Sequence, residues 1–341
     1  MLFMYKVICQ LLLITFCWSC SSDSTTAKYQ SKRENIINVH DQIKGISIEN
    51  VLISNFALMQ IIDKYLFITD YKSANELIHI FNKSDFKYVA STALKGQGPG
   101  EITNIGHIAE DKAHRKFYVS DHGKNKIFSF DIDSAIADPA YLPIEKMKMG
   151  EDVFPDRYVY INDTLSIAIT IHRLSSHDFL PVIGKLNMRS REITPMPYTI
   201  NPKVKKKRIT FAVSLKDSIY VECYAPHDLM TICSLDGDLK YNVYGPKWDT
   251  ETHGKDFFGP VIFCGNRIVA LYSGERSFTK ERKSNLPTQF VVFDLEGNYL
   301  KTLETGYKIA NICYDESNHR IIMNMNDTMQ FTYLDVGTLL D

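Results

Sequence analysis

The sequence is short of several things, and each shortage excludes a class of function. There is no surplus of positive charge: 39 Lys and Arg stand against 40 Asp and Glu, for a formal net charge of −1. A reader of nucleic-acid backbones needs a basic face, so no nucleic-acid partner is expected. Four of the seven cysteines lie beyond residue 20 (Cys223, Cys233, Cys264 and Cys313), and they form no CxxC pair and no Cys/His zinc spacing. No metal site and no cofactor is therefore expected. No GxSxG elbow marks a nucleophilic serine, and no GxxxxGK[ST] marks a phosphate loop. "HRLSSHD" (172–178) puts Ser beside His, but neighbours in sequence do not make a triad. Long apolar runs are also missing. The apolar run from Val7 to Trp18 has about twelve residues, short of the ~20 a membrane span needs.

That run has the size of a signal-peptide core. Lys6 precedes it, small Ser19 ends it, and Cys20 opens a polar stretch, "SSDSTTAKYQSKRE". The reading is an export signal at 1–19, a flexible tether at 20–33 and one folded domain over 34–341. The start resembles a bacterial lipoprotein signal, with Cys20 as the lipidated residue. It departs from the usual pattern where Cys17 replaces Leu and bulky Trp18 follows. The resemblance implies an outer-membrane lipoprotein on the periplasmic or cell-surface side, with the membrane as a partner through the lipid.

Strand-like apolar runs recur at a fixed interval. "YLFITD", "KFYVSD", "LSIAIT", "SIYVEC", "RIVALY" and "RIIMNM" end 49 to 53 residues apart. A polar turn precedes each, and a second strand follows after a loop: "LIHIFN", "KIFSFD", "VIGKLN", "MTICSL", "QFVVFD", "MQFTYL". Asp/Gly turns such as "LDGD" (235–238) and "LEGN" (295–298) then lead to a closing strand. No long amphipathic helix interrupts this order. The fold class predicted is all-β: a six-bladed β-propeller of four-stranded antiparallel blades. The blades fall near 50–95, 104–150, 153–200, 208–245, 257–305 and 307–340. The last is a strand short, so residues 34–45 are expected to complete it and close the ring, removing a free sheet edge. A hairpin turn at Pro226–His227 opposes residues whose numbers sum to about 453. Cys223 and Cys233 sum to 456 and are expected to stay unbridged.

"LKGQGPGEI" (94–102) packs Gly96, Gly98, Gly100 and Pro99 between the first two blades. Its density of turn residues suits the reversal from a blade's outer edge back to the axis. With "IGHIAEDKAHRKFYVSDHGKNKIFSFD" the stretch looks like an NHL-type repeat. Together with the signal, the chain resembles the six-bladed, TolB-like propeller lipoproteins of Gram-negative gut anaerobes. That resemblance implies a fold and an envelope location but no substrate.

Propellers place ligands over the channel, on the face built from the second-to-third strand loops. Three such loops carry a histidine: His122, His172 and His227. With Arg173 and Arg276 they make five donor or cationic side chains from four blades, suited to an acidic glycan or a peptide terminus. Asp70 and Asp121 recur at one position and read as turn caps. The basic run "KVKKKR" (203–208) reads as a solvated loop, and "SGERSFTKERKSNLP" (273–287) is the longest polar insertion. The expected function is a non-catalytic, monomeric envelope lipoprotein that binds a glycan, peptide or envelope protein. The alternative is an exported hydrolase or lyase, lactonase-like or glycan-active, using the same face.

Overall fold

A computed structural model describes residues 26–198, 200–205, 207–278 and 285–341. The signal segment and Cys20 lie outside the described residues. Three short strands come first: β1 (Ala27–Tyr29), β2 (Ile36–Asn38) and β3 (Lys44–Gly45). Blade one then follows as β4 to β7 (Ala57–Ile62, Tyr65–Asp70, Glu76–Asn82, Tyr88–Leu94). Blade two is β8 to β11 (Ile105–Asp111, Lys116–Asp121, Lys126–Asp131, Ile144–Lys148). Blade three is β12 to β15 (Val153–Asn162, Leu165–Arg173, Phe179–Asn187, Glu192–Pro195). Blade four is β16 to β19 (Ile209–Ser214, Ile219–Tyr224, Leu229–Ser234, Leu239–Tyr244). Blade five is β20 to β23 (Lys255–Cys264, Arg267–Arg276, Gln289–Phe293, Tyr299–Glu304). Blade six has β24 to β26 (Ile309–Asp315, Arg320–Met325, Phe331–Asp335) and takes its fourth strand from β3. Apart from strands added from the N-terminus, the strand order in each blade follows the chain, inner to outer.

The recurring apolar runs are the second strands of the blades. Every residue of Tyr65–Asp70, Ile219–Tyr224 and Arg320–Met325 is buried, because a second strand is covered on both faces by neighbouring blades. This is why they read as continuous apolar stretches rather than alternating ones. Six apolar seams result, one at each blade junction. Phe67 of blade one, for example, meets Phe117 of blade two edge-on, ring centroids 5.0 Å apart.

The N-terminal segment does more than the sequence suggests. Only Lys44–Gly45 completes blade six, pairing with Tyr333 and Thr332. Ile36–Asn38 instead lies parallel on β23 and gives blade five a fifth strand. Ala27–Tyr29 does the same on β19 of blade four. Residues 26–33, expected in a tether, are thus part of the ring. Arg33 pins this belt: its guanidinium lies 3.1 Å from Asp228, and its side chain is 7% exposed against 0% for the aspartate. Two further N–H groups donate to the Gln30 amide oxygen, and the guanidinium stacks over Tyr272, 4.8 Å from the ring centroid. Asp228 also accepts from the Tyr272 hydroxyl and the Lys247 amide. A second departure is α1 (Ile132–Ala137), one short helix inside blade two, capped by the Asp131 carboxylate. No described helix is long and apolar enough to cross a membrane.

Two outcomes follow from this packing. Removing one partner of a buried, hydrogen-bonded ion pair strands the other, at a cost of about 3–5 kcal/mol. Arg33→Ala is accordingly expected to move the urea midpoint well down, and a shift under 1 kcal/mol would show the belt to be loosely held. The four described cysteines are free, buried and pushed up in pKa by burial, Cys233 to about 12. An alkylating reagent is expected to leave Cys223, Cys233, Cys264 and Cys313 unmodified in the native protein and to label all four in denaturant, read by mass spectrometry.

Candidate functional site

The six inner strands surround one cavity of about 720 Å³, to which β4, β8, β12, β16, β20 and β24 all contribute lining residues. Its size falls in the range of small-molecule sites, about 300–1,000 Å³. The walls are largely apolar, with Leu58, Val159, Phe211, Ile262 and Ile312 among them. Four of the six inner strands carry a bulge within their first six residues. In β8, Gly106 and His107 share the space opposite one partner residue. In β12 the extra residue is Asp156, in β20 the bulge falls at Gly259–Pro260, and in β24 at Ala310. Bulges bend a strand and re-aim its side chains, and they gather beside functional sites.

The bulges of blades two and three build one corner of the cavity. The Tyr71 hydroxyl donates to the Gly106 carbonyl at 3.0 Å, and burial pushes its pKa up to about 12 against the opposing pull of Arg157. The His122 ring lies over Gly106, where a Cβ would come within 2.3 Å of its Nε2, and meets Phe154 edge-on. His107 donates from Nε2 to the Tyr158 carbonyl at 2.8 Å, which places a proton on that nitrogen. Burial, and then the nearby Arg157 charge, push its pKa down to about 4. Arg157 and Gln60 both line the cavity, and neither side chain makes a hydrogen bond or ion pair with any described residue.

Of the five side chains expected to converge, none lines the cavity. His122 stands in the corner just described. His172 lies 3.1 Å from Thr170 Oγ1 at the end of β13, and Arg173 is exposed beside it. Arg276 is exposed at the end of β21, opposite Lys255. His227 does not belong to the group. It is 1% exposed, donates to the Asp249 carbonyl and packs against Trp248, so burial lowers its pKa.

The remaining polar features are structural. Asp121 accepts four backbone N–H groups, from Thr103, Asn104, Gly123 and Lys124, and so ties a blade's entry to its second strand. Asp70 caps the same position with Ser54 and Lys72. The glycine-rich loop holds an anion, but one of its own. The Glu101 carboxylate accepts from the Gly98 N–H at 2.7 Å and occupies the space a Cβ at Gly96 would need. The basic run is not a free cationic patch. Lys207 is buried against Glu222 at 3.3 Å, Lys205 pairs with Glu251, and Arg208 pairs with Asp256. Lys206 and residues 279–284 lie outside the described residues. Among those described, no group of three or more His, Cys, Asp or Glu is placed to hold a metal ion.

Six four-stranded blades around a lined central channel define a six-bladed β-propeller. More narrowly, the chain belongs to the DUF5128 family of six-bladed β-propellers, whose profile matches residues 30–220. No curated protein matches it in sequence. Among solved structures it is similar to a member of the DUF4221 family from Bacteroides vulgatus, at 10% identity and a TM-score of 0.60, covering 86% of this chain and 95% of that one. A luciferin-regenerating enzyme matches at 10% identity and 0.56, over 86% and 95%. The Cps50 (Swd1) propeller domain of Myceliophthora thermophila matches at 10% and 0.52, over 85% and 99%. At such identity the likeness is one of fold.

Arg157 is the residue that sequence reasoning passed over. Its signal lay in the alternation of β12, where Arg157, Val159 and Ile161 share a face: an arginine on an otherwise apolar stripe.

A pH dependence follows from His107. The unfolded chain takes up a proton near pH 6.5, while the folded chain resists until about pH 4. Stability is therefore expected to fall as pH drops from about 6.5 to about 4, at up to ~1.4 kcal/mol per pH unit, and to lose no more from this group below that. His107→Gln keeps an N–H for Tyr158 and is expected to flatten this limb in denaturation curves taken across the window. Unchanged slopes would mean that His107 titrates normally.

Proposed function

We propose that the protein is an exported envelope lipoprotein, anchored through Cys20, whose ring is a non-catalytic binding module. It takes a glycan, peptide or protein partner at the loop end of the channel. One observation carries the binding reading: a cavity of about 720 Å³ lined by all six blades, with an arginine and an amide that have no partner among the described residues. A cavity built only for packing has its polar groups satisfied within the protein. The outer-membrane location rests on the signal pattern. Five residues separate Cys20 from Thr26, which already accepts a hydrogen bond from Asn242. At a reach of at most about 3.6 Å per residue, the anchor would hold the ring close to the bilayer.

Two measurements test this. Cys20→Ala is expected to release the chain from the membrane fraction, since multiple acyl chains hold firmly and their loss leaves no span. Persistence in the membrane would refute lipid anchoring as the means of attachment. A glycan and peptide screen on the full chain is expected to find a binder that is weakened by Arg173→Ala or by His122→Ala. Turnover of a lactone or glycoside, abolished by His122→Ala, would instead establish the hydrolase or lyase.

A further inference from the structure

We infer that Arg157 is a carboxylate-recognition residue, and that the channel takes a small organic acid, or the acidic end of a larger molecule, with an apolar body behind it. This rests on reading the ring as a binding module and names the chemistry of its ligand.

Three observations carry it. First, Arg157 lines the cavity with no hydrogen bond or ion pair to any described residue. A guanidinium offers five donors in a planar fork, and leaving them unpaired in a partly enclosed site is costly. The described cations of the basic stretch Lys203 to Arg208, in the connection between blades three and four, each have a partner: Lys203 on Tyr29, Lys205 on Glu251, Lys207 on Glu222, Arg208 on Asp256. Arg157, half-buried in the channel, has none among the described residues.

Second, the backbone is shaped to present it. The bulge at Asp156 sits immediately before Arg157, and the bulge at Gly106–His107 in the next inner strand lies against it. The groups around Arg157 accept no hydrogen bond from it. Tyr71 donates to the Gly106 carbonyl and His107 to the Tyr158 carbonyl. Neither is a carboxylate. Asp156 lies near enough to act on Tyr71, yet it forms no ion pair with Arg157. The fork is left for an acceptor from outside.

Third, the rest of the lining selects what is attached to that acceptor. Leu58, Val159, Phe211, Ile262 and Ile312 give an apolar wall, and Gln60 adds an amide with no described partner; the two lining carboxylates are engaged elsewhere, Glu110 by the Asp63 N–H and Asp111 by the Tyr118 hydroxyl and His114. A fully hydrated anion such as phosphate gains nothing from such a wall. A carboxylate bearing an alkyl or aryl group places its charge on the fork and its body on the wall.

The test uses acid and amide pairs that differ only at the headgroup: acetate and acetamide, hexanoate and hexanamide, 4-phenylbutyrate and 4-phenylbutyramide. Each is titrated by NMR into the full-length chain. At least one of the longer acids is expected to bind about tenfold or more tightly than its amide, as a charge-assisted fork contact implies. In Arg157→Met that preference is expected to vanish while the amide's own affinity changes little, and Arg157→Lys is expected to keep part of it. The melting temperature of Arg157→Met is expected to match that of the parent, because the side chain has no partner among the described residues to lose. The inference is overturned if no acid binds, if acid and amide bind equally, or if the preference survives in Arg157→Met. A preference that instead disappears in Arg173→Ala or Arg276→Ala puts the site on the outer loops. That overturns the assignment to Arg157 and leaves the binding module standing. A failed partner screen together with silent acids removes both.

Discussion

The constraint behind this structure is that a blade cannot bury its own second strand. Tyr65–Asp70 is enclosed on both faces only because blade six covers one side and blade two the other. The same holds around the ring, so each seam depends on there being no gap. Closure is therefore a requirement of the core and not an ornament at its edge. It is met by two residues, Lys44 and Gly45, on β26. Two residues of ladder are little to hold a ring shut. The parallel additions β1 and β2, with Arg33 buried against Asp228, spread the task over blades four and five as well.

The channel is the by-product of that geometry, and the bulges shape its lining. A regular inner strand alternates strictly between channel and seam. Adding one residue in four of the six lets side chains depart from that rule without disturbing the second strands behind them. The glycine-rich loop shows the opposite choice. There the anion-binding geometry exists, and the protein fills it with its own Glu101.

The ring was legible in the sequence because its second strands are apolar throughout and spaced by about fifty residues. The unbridged Cys223 and Cys233 were legible as well, since the hairpin register pairs Cys223 with Met230 and Tyr220 with Cys233. The belt was not. Ala27–Tyr29 and Ile36–Asn38 are three residues each, sit among Ser, Lys and Gln, and owe their strand form to partners more than 200 residues away. The site was only half visible. Loop histidines draw attention because histidine is chemically versatile, yet His227 went into the core of blade four. Arg157 drew none because its meaning lies in which side chains fail to meet it, and that is a property of three dimensions.

The belt also orders events in time. Lys44 contacts Asp335 across 291 residues of chain, and Arg33 meets Asp228 across 195. The first strands have no partners until blades four, five and six in turn have been made. Contacts this distant slow folding, and the face of blade one that packs on blade six stays uncovered in the meantime. A chain that crosses a membrane unfolded and folds on the far side meets both ends at once, and for it the delay disappears. For a chain folding as it leaves the ribosome, that face of blade one would stay exposed until the last blade is made.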